Sequence, residues 1–242
     1  MNTVEVNSLS FAYSGGTTVL RDVSFNVSEG EVFVIAGLSG CGKTTLCNIL
    51  CGIIPHAIKG ELNGYVSVMD IDPTRTGLPQ IALRVGMVYQ DADDQLICTT
   101  VEDELAFGPE NLCMPPRDIR RVVDGTLLEF GLEALRLNNP NLLSGGEKKL
   151  LTIASVLTLS PPVLVLDEPM SGLDLDGRAM VLSAIMQQKR IGRTVIVVEH
   201  DLKSATYADR WLILHDGAVR VCDTPASILS QEYLLKEMRL MP

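Results

Sequence analysis

No run of clustered lysine and arginine occurs in this 242-residue sequence, and 30 acidic against 20 basic residues leave a formal charge of −10. An extended nucleic-acid footprint needs clustered cations to displace counterions from phosphates, so no nucleic-acid partner is expected. Paired cysteine spacing is missing too. Cys41, Cys47, Cys51, Cys98, Cys113 and Cys222 match no zinc pattern and accompany no secretory leader, which excludes a disulfide framework and leaves reduced thiols. The opening Met-Asn-Thr-Val-Glu-Val lacks the basic-then-apolar order of an export signal, so a cytoplasmic location is expected. A membrane-spanning run is absent for a specific reason. Leu150 to Leu166 is uncharged and approaches the ~20 residues of a bilayer helix. Pro161-Pro162 splits it into an amphipathic helix and a buried strand, Val163 to Leu166. Internal repeats and low-complexity linkers are likewise missing.

What is present is a 46% hydrophobic chain, enough for one domain with a sizeable core. Val4 to Tyr13 and Val23 to Val27 read as strands joined through the Gly15-Gly16 turn signal, an antiparallel flank. Short apolar strands at Val32 to Ala36, Val163 to Leu166 and Thr194 to Val198 alternate with helix-like segments. That alternation predicts an α/β fold with a mainly parallel sheet covered on both faces. Residues 110–142, with Pro115-Pro116 and a helical pattern over Arg117 to Phe130, read as a helical insertion, and Asp223 to Met241 as a helical tail.

The stretch GLSGCGKTT, residues 37–45, follows the first apolar strand and opens a helix expected over Lys43 to Leu50. Gly37-x-x-x-x-Gly42-Lys43-Thr44 is the P-loop spacing, and strand–loop–helix is the context it requires. Here Gly37, Ser39, Gly40, Cys41, Gly42 and Thr45 belong to a turn of open N–H groups around a phosphate. The helix dipole adds to this, Lys43 neutralises the outer phosphates, and the Thr44 hydroxyl suits Mg²⁺. VLVLDEP, residues 163–169, delivers two carboxylates at a strand end, where open α/β sheets bind ligands. Asp167 suits metal support and Glu168 the polarising of an attacking water. In LSGGEKK, residues 143–149, Ser144 and Glu147 form a capping box, and Gly145-Gly146 leave N–H groups open to a second anion. A guanine-reading Asn-Lys-x-Asp motif is absent, which argues against a GTP switch.

The ordered set of Tyr13, GLSGCGKTT, Gln90, LSGGEKK, VLVLDEP, SGLD (171–174) and His200 resembles the nucleotide-binding subunit of ATP-binding cassette (ABC) transporters, roughly from Val4 to Val221. The resemblance implies two subunits paired head to tail, with ATP and Mg²⁺ between the P-loop of one and the LSGG signature of the other. It implies that Tyr13 stacks on adenine, Gln90 reaches the metal and the attacking water, Ser144, Gly145 and Gly146 serve the partner's ATP, Asp167 sits in the metal's outer shell, Glu168 is the general base, Asp174 communicates across the dimer, and His200 holds the γ-phosphate. His56 and His215 are expected at the surface. The implied domain is single, with a nucleotide-binding core of residues 1–90 and 160–221, a helical subdomain of 91–159 and a tail of 222–242.

Residues 90–112, QDADDQLICTTVEDELAFGPENL, resemble the same segment of energy-coupling-factor (ECF) and cobalt–nickel importers. That implies a transmembrane coupling protein and a substrate-binding membrane protein as partners, uptake of a vitamin or transition-metal ion, and a peripheral place on the cytoplasmic face of the membrane. The acidic DADD and VEDE stretches are alternatively solvated faces. A soluble ABC ATPase for iron–sulfur assembly or nucleic-acid maintenance carries the same motifs. Leu150, Met170 and Asp176 depart from the commoner family residues, and homodimer or heterodimer stays open.

Overall fold

Gly15-Gly16 turns the chain back on itself, and the alternating apolar residues on either side pair as strands. In a computed structural model, which describes residues 2–240, β1 (Asn2–Tyr13) and β2 (Thr18–Ser28) lie antiparallel. The second strand is longer than the expected Val23 to Val27. Met1, Met241 and Pro242 lie outside the described residues, and so does the end of the expected tail.

The chain continues through β3 (Val32–Ala36), α1 (Lys43–Leu50), α2 (Ile53–His56), β4 (Gly60–Val68), α3 (Leu78–Ala82) and β5 (Val85–Val88). Three longer helices follow: α4 (Val101–Asn111), α5 (Pro116–Phe130) and α6 (Gly145–Leu157). Then come β6 (Val163–Asp167), α7 (Leu175–Arg190), β7 (Thr194–Glu199), β8 (Arg210–His215), β9 (Ala218–Asp223), α8 (Pro225–Leu229) and α9 (Glu232–Glu237). Cys222 and Asp223, expected in the tail, instead pair within β9 against β8, and two short helices replace a continuous one.

A small sheet runs β2-β1-β4, all antiparallel, and a larger one runs β5-β6-β7-β3-β8-β9. The larger sheet is parallel except for the antiparallel edge β9. Its inner strands are apolar on both faces because both faces are covered. Phe33, Ile35, Val165, Ile196 and Leu212 face a cluster with Val4, Val6, Leu9 and Leu46. Their neighbours Val34, Leu166, Val197, Trp211 and Ile213 face the opposite cluster with Leu105, Leu151, Ile153, Val181 and Ile185. This two-residue alternation of facing fixes the register. Trimming one such side chain, Leu166 to Ala, costs about 2–5 kcal/mol. Trp211 satisfies its indole by donating to the Ala205 carbonyl at 2.9 Å. Ile228, Leu235 and Met238 of the C-terminal segment are buried in the same cluster, so that segment is part of the core.

Candidate active site

β3 ends at Ala36, β6 at Asp167 and β7 at Glu199, three neighbouring parallel strands whose carboxyl ends open on one edge. Binding sites of open α/β sheets lie at such an edge. The turn after β3 passes close beneath β8: a Cβ on Gly37 would collide with the Leu214 carbonyl oxygen and lie 2.7 Å from Cys41 Sγ. Only glycine allows the backbone to pass there. Lys43, 5% exposed, folds its Nζ back to donate to the carbonyls of Gly37 at 2.8 Å and Leu38 at 3.1 Å. Its charge is thereby held within the turn. Ser39 and Gly40 lie exposed at the turn's tip, while Cys41 and Gly42 are buried.

Thr44 joins this turn to β6, donating its hydroxyl to Asp167 Oδ2 at 2.8 Å. Burial pushes the Asp167 carboxyl above its usual range, the Thr44 bond pulls it down, and Glu168 pushes it up again. These oxygens form a hard donor pair that fits Mg²⁺. Tyr13 shares a 2.9 Å hydrogen bond with Thr45 and packs edge-on against Phe11, its ring 4.9 Å away. The ring is half-buried beside the P-loop helix.

Glu168 follows β6 in a left-handed conformation, φ 46°, with its N–H held by the Val198 carbonyl at 3.1 Å. Such a conformation costs a non-glycine residue about 1–3 kcal/mol. Glu168 Oε2 accepts from Gln90 Nε2 at 3.0 Å and lies 3.4 Å from His200 Nδ1. The structure therefore brings Gln90, Glu168 and His200 to one carboxylate oxygen. His200 is 54% exposed, open to a ligand on its other side.

The signature is built as a helix tip. Ser144 Oγ accepts from the Glu147 N–H at 3.3 Å, and Ser144 N donates back to Glu147 Oε2 at 2.8 Å, a complete capping box. A Cβ on Gly146 would come 2.8 Å from the Gly177 Cα, so the tip packs directly on the start of α7. Asp174 caps that helix, accepting from the Gly177 N–H at 2.8 Å. A cleft of about 580 Å³ joins Gln90, Asp91, Gly145, Lys149 and Ser171. None of residues 37–45 lines it.

Two histidines and part of one acidic stretch differ from expectation. His56 and His215 are only half-exposed, and His56 Nε2 is buried without a partner among the described residues. The acidic stretch VEDE is structural in part: Glu104, 4% exposed, accepts from the N–H groups of Ile97 and Cys98 at 2.9 and 2.8 Å. Glu102 pairs with Arg136 at 2.6 Å. Leu150 and Met170 are core residues. All six cysteines are free thiols, and burial pushes Cys41, Cys47 and Cys51 up, away from reactive thiolate.

The motifs assign no role to two buried charges beside the site, although Lys149 closes the LSGGEKK stretch. Lys149, 3% exposed, donates to the carbonyls of Tyr89 at 3.0 Å and Gln90 at 2.6 Å. Burial pushes its ammonium down, opposed by Asp91 and Asp167. Glu199, also 3% exposed, has an Oε1 without a partner among the described residues. Burial, with Glu168 and Asp201 adding to it, raises its carboxyl to about 7. Helical spacing was the available signal for Lys149, which shares a face with the fully buried Thr152 and Ile153.

A family model described as ABC transporter matches residues 20–171, more than half of the chain. The chain belongs to the ABC transporter family. A Methanosarcina mazei relative, named for ABC transporter ATP binding, is 39% identical over 227 residues, which are 93% of this chain but 39% of the relative. This ABC transporter chain thus spans well under half the length of that relative. The energy-coupling factor transporter ATP-binding protein EcfA of Methanocaldococcus jannaschii is 34% identical over 241 residues, 99% of this chain and 85% of the relative. Among solved structures, cbiO1 from Clostridium perfringens, described as part of the ABC transporter complex cbiONQ, matches with a TM-score of 0.85 at 32% identity. That match covers 99% of this chain and 95% of the other. The mainly parallel sheet with its antiparallel companion is therefore the fold of that cbiO1 structure.

Proposed function

We propose that the chain is an ATP-hydrolysing subunit that powers a membrane importer of the energy-coupling-factor kind, bringing in a vitamin or transition-metal ion. The observation that carries the reading is the convergence of Gln90 and His200 on Glu168, one residue beyond the Asp167–Thr44 pair. The triphosphate lies against the turn of residues 37–45, with Lys43 released from its two carbonyls to the outer phosphates and Tyr13 against the adenine. Ser144, Gly145 and Gly146 of a facing subunit close over it, and Asp174 relays that closure between the two copies.

Thr44, Gln90 and Asp167 are the residues that would hold Mg²⁺. Bound there, Mg²⁺ would supply neutralisation of the negative charge on the β- and γ-phosphate groups. Glu168 takes a proton from water as the water oxygen attacks the γ-phosphorus and the bond to ADP breaks. Gln90 orients that water, and His200 donates to a γ-phosphate oxygen.

Coupling to a membrane partner is supported by a second cleft, of about 250 Å³, lined by Met87, Gln95, Ile97, Phe107, Val156 and Leu159. Ile97 and Phe107 expose 64% and 44% of their surface. We assign it a helix of the transmembrane coupling protein, consistent with relatives named for transporter complexes. Gln95 bridges this cleft to the catalytic loop, accepting from the Tyr89 N–H at 3.0 Å and donating to the Met87 carbonyl at 3.1 Å. A substrate-binding membrane protein completes the assembly, with this chain peripheral on the cytoplasmic face of the membrane.

The test is purification from native membranes, followed by Mg-ATP hydrolysis. Recovery with a multi-span membrane protein, and hydrolysis of ATP in preference to GTP, is expected. Recovery with a soluble scaffold alone, or equal use of GTP, contradicts the reading.

A further inference from the structure

The proposed function leaves one buried cation without a task. Lys149 sits in the second turn of α6, five residues from Ser144, whose capping box fixes the helix tip. Its Nζ reaches across to the loop after β5 and donates to the carbonyls of Tyr89 and Gln90. The Gln90 side chain in turn donates to Glu168. A continuous chain of contacts thus runs from the tip that would serve the partner's nucleotide, through Lys149 and the Gln90 main chain, to the carboxylate that would activate water on this subunit's own nucleotide. Lys148, next to it, pairs with Asp93 of the same loop at 2.6 Å. Asp93 is 62% exposed, however, and such surface pairs contribute only about 0–1 kcal/mol.

We propose that Lys149 is a positioning residue that sets Gln90 against Glu168 and couples this geometry to the placement of the signature helix. The assignment rests on the ATPase reading above. A charge-assisted bond from a buried ammonium to two consecutive carbonyls fixes the loop at its main chain, so the Gln90 amide has one approach to Glu168 rather than several. Closure of a facing subunit's nucleotide on Ser144 would shift α6 and carry Gln90 with it. Each site would then report its occupancy to the other.

A double-mutant cycle on the assembled complex tests this. Lys149→Met fills the same space without donating. It should lower kcat about 10- to 100-fold, the usual loss when a group orienting a ligand is removed, while ATP affinity stays within about twofold. Lys149→Arg, which restores the donors, should recover most of the rate. On a Gln90→Ala background, Lys149→Met should cost almost nothing further, because its effect passes through Gln90. Amide exchange over residues 89–93 should accelerate in Lys149→Met while β6 remains protected, a readout independent of turnover. If Lys149→Met fails to fold, Lys149→Gln carries the same cycle. Additive losses, or equal losses in kcat, ATP affinity and melting temperature, would assign Lys149 a purely structural role and overturn the proposal. Wild-type protein without Mg-ATPase activity would overturn the ATPase reading itself, which separates the two failures.

Discussion

The amide of Gln90 donates to the carboxylate of Glu168 at 3.0 Å, tying the loop after β5 to the end of β6 in the larger sheet. Only an acceptor oxygen is needed at Glu168 for that bond. Glu168→Gln keeps such an oxygen and the left-handed backbone, but it cannot take a proton from water. Hydrolysis should slow by roughly 10²- to 10⁴-fold, the usual share of general-base catalysis, with ATP binding retained and ATP-bound dimers accumulating. Phosphate release and sedimentation measure both. Unimpaired turnover removes Glu168 from this role.

Lys43 illustrates a different dependence. Its ammonium already holds two carbonyls of the turn, and charge-assisted bonds of this kind are worth roughly 1.5–3 kcal/mol each. Lys43→Ala should therefore weaken ATP binding by about 10- to 100-fold in calorimetry. Unchanged affinity places the phosphates elsewhere.

Glu199 makes stability depend on pH. Its carboxyl moves from an ordinary 4.5 to about 7 on folding, so the folded state holds the proton more tightly than the unfolded chain. Stability from this group is present below 4.5 and declines as pH rises to about 7, a loss of at most about 3 kcal/mol. Glu199→Gln has no proton to lose. Melting temperatures of variant and wild type should coincide near pH 4.5 and separate in the variant's favour by pH 8. A difference constant across that range contradicts the assignment.

The elements that the sequence marks most clearly are those with an uninterrupted signal. β3, β6 and β7 are buried throughout, with Val32 to Ala36, Val163 to Leu166 and Val195 to Val198 all apolar, because helices or the small sheet cover both faces, and the capping box at Ser144 is a local pattern needing no tertiary context. β5 has four residues including Gly86, and β9 alternates exposed Arg220 and Cys222 with half-buried Val219 and Val221; neither carries a run long enough to read. The motif residues follow from fixed spacing, and so Gly37, Lys43, Thr44 and Ser144 are legible. Lys149 and Glu199 are not, because a lysine or glutamate is ordinarily exposed. Their burial depends on what packs across from them, the loop at Tyr89 for one and the Glu168 turn for the other. Leu150 belongs to the same lesson: its departure from the family residue is explained only by its place in the core.

Enclosure of one triphosphate by two subunits is visible in an ATP–Mg²⁺ complex of Glu168→Gln in its native assembly. Each nucleotide should lie between Lys43 of one subunit and the Ser144 tip of the subunit facing it. Nucleotide contacted by one subunit alone, with the Ser144 tip remote in every copy, would contradict it.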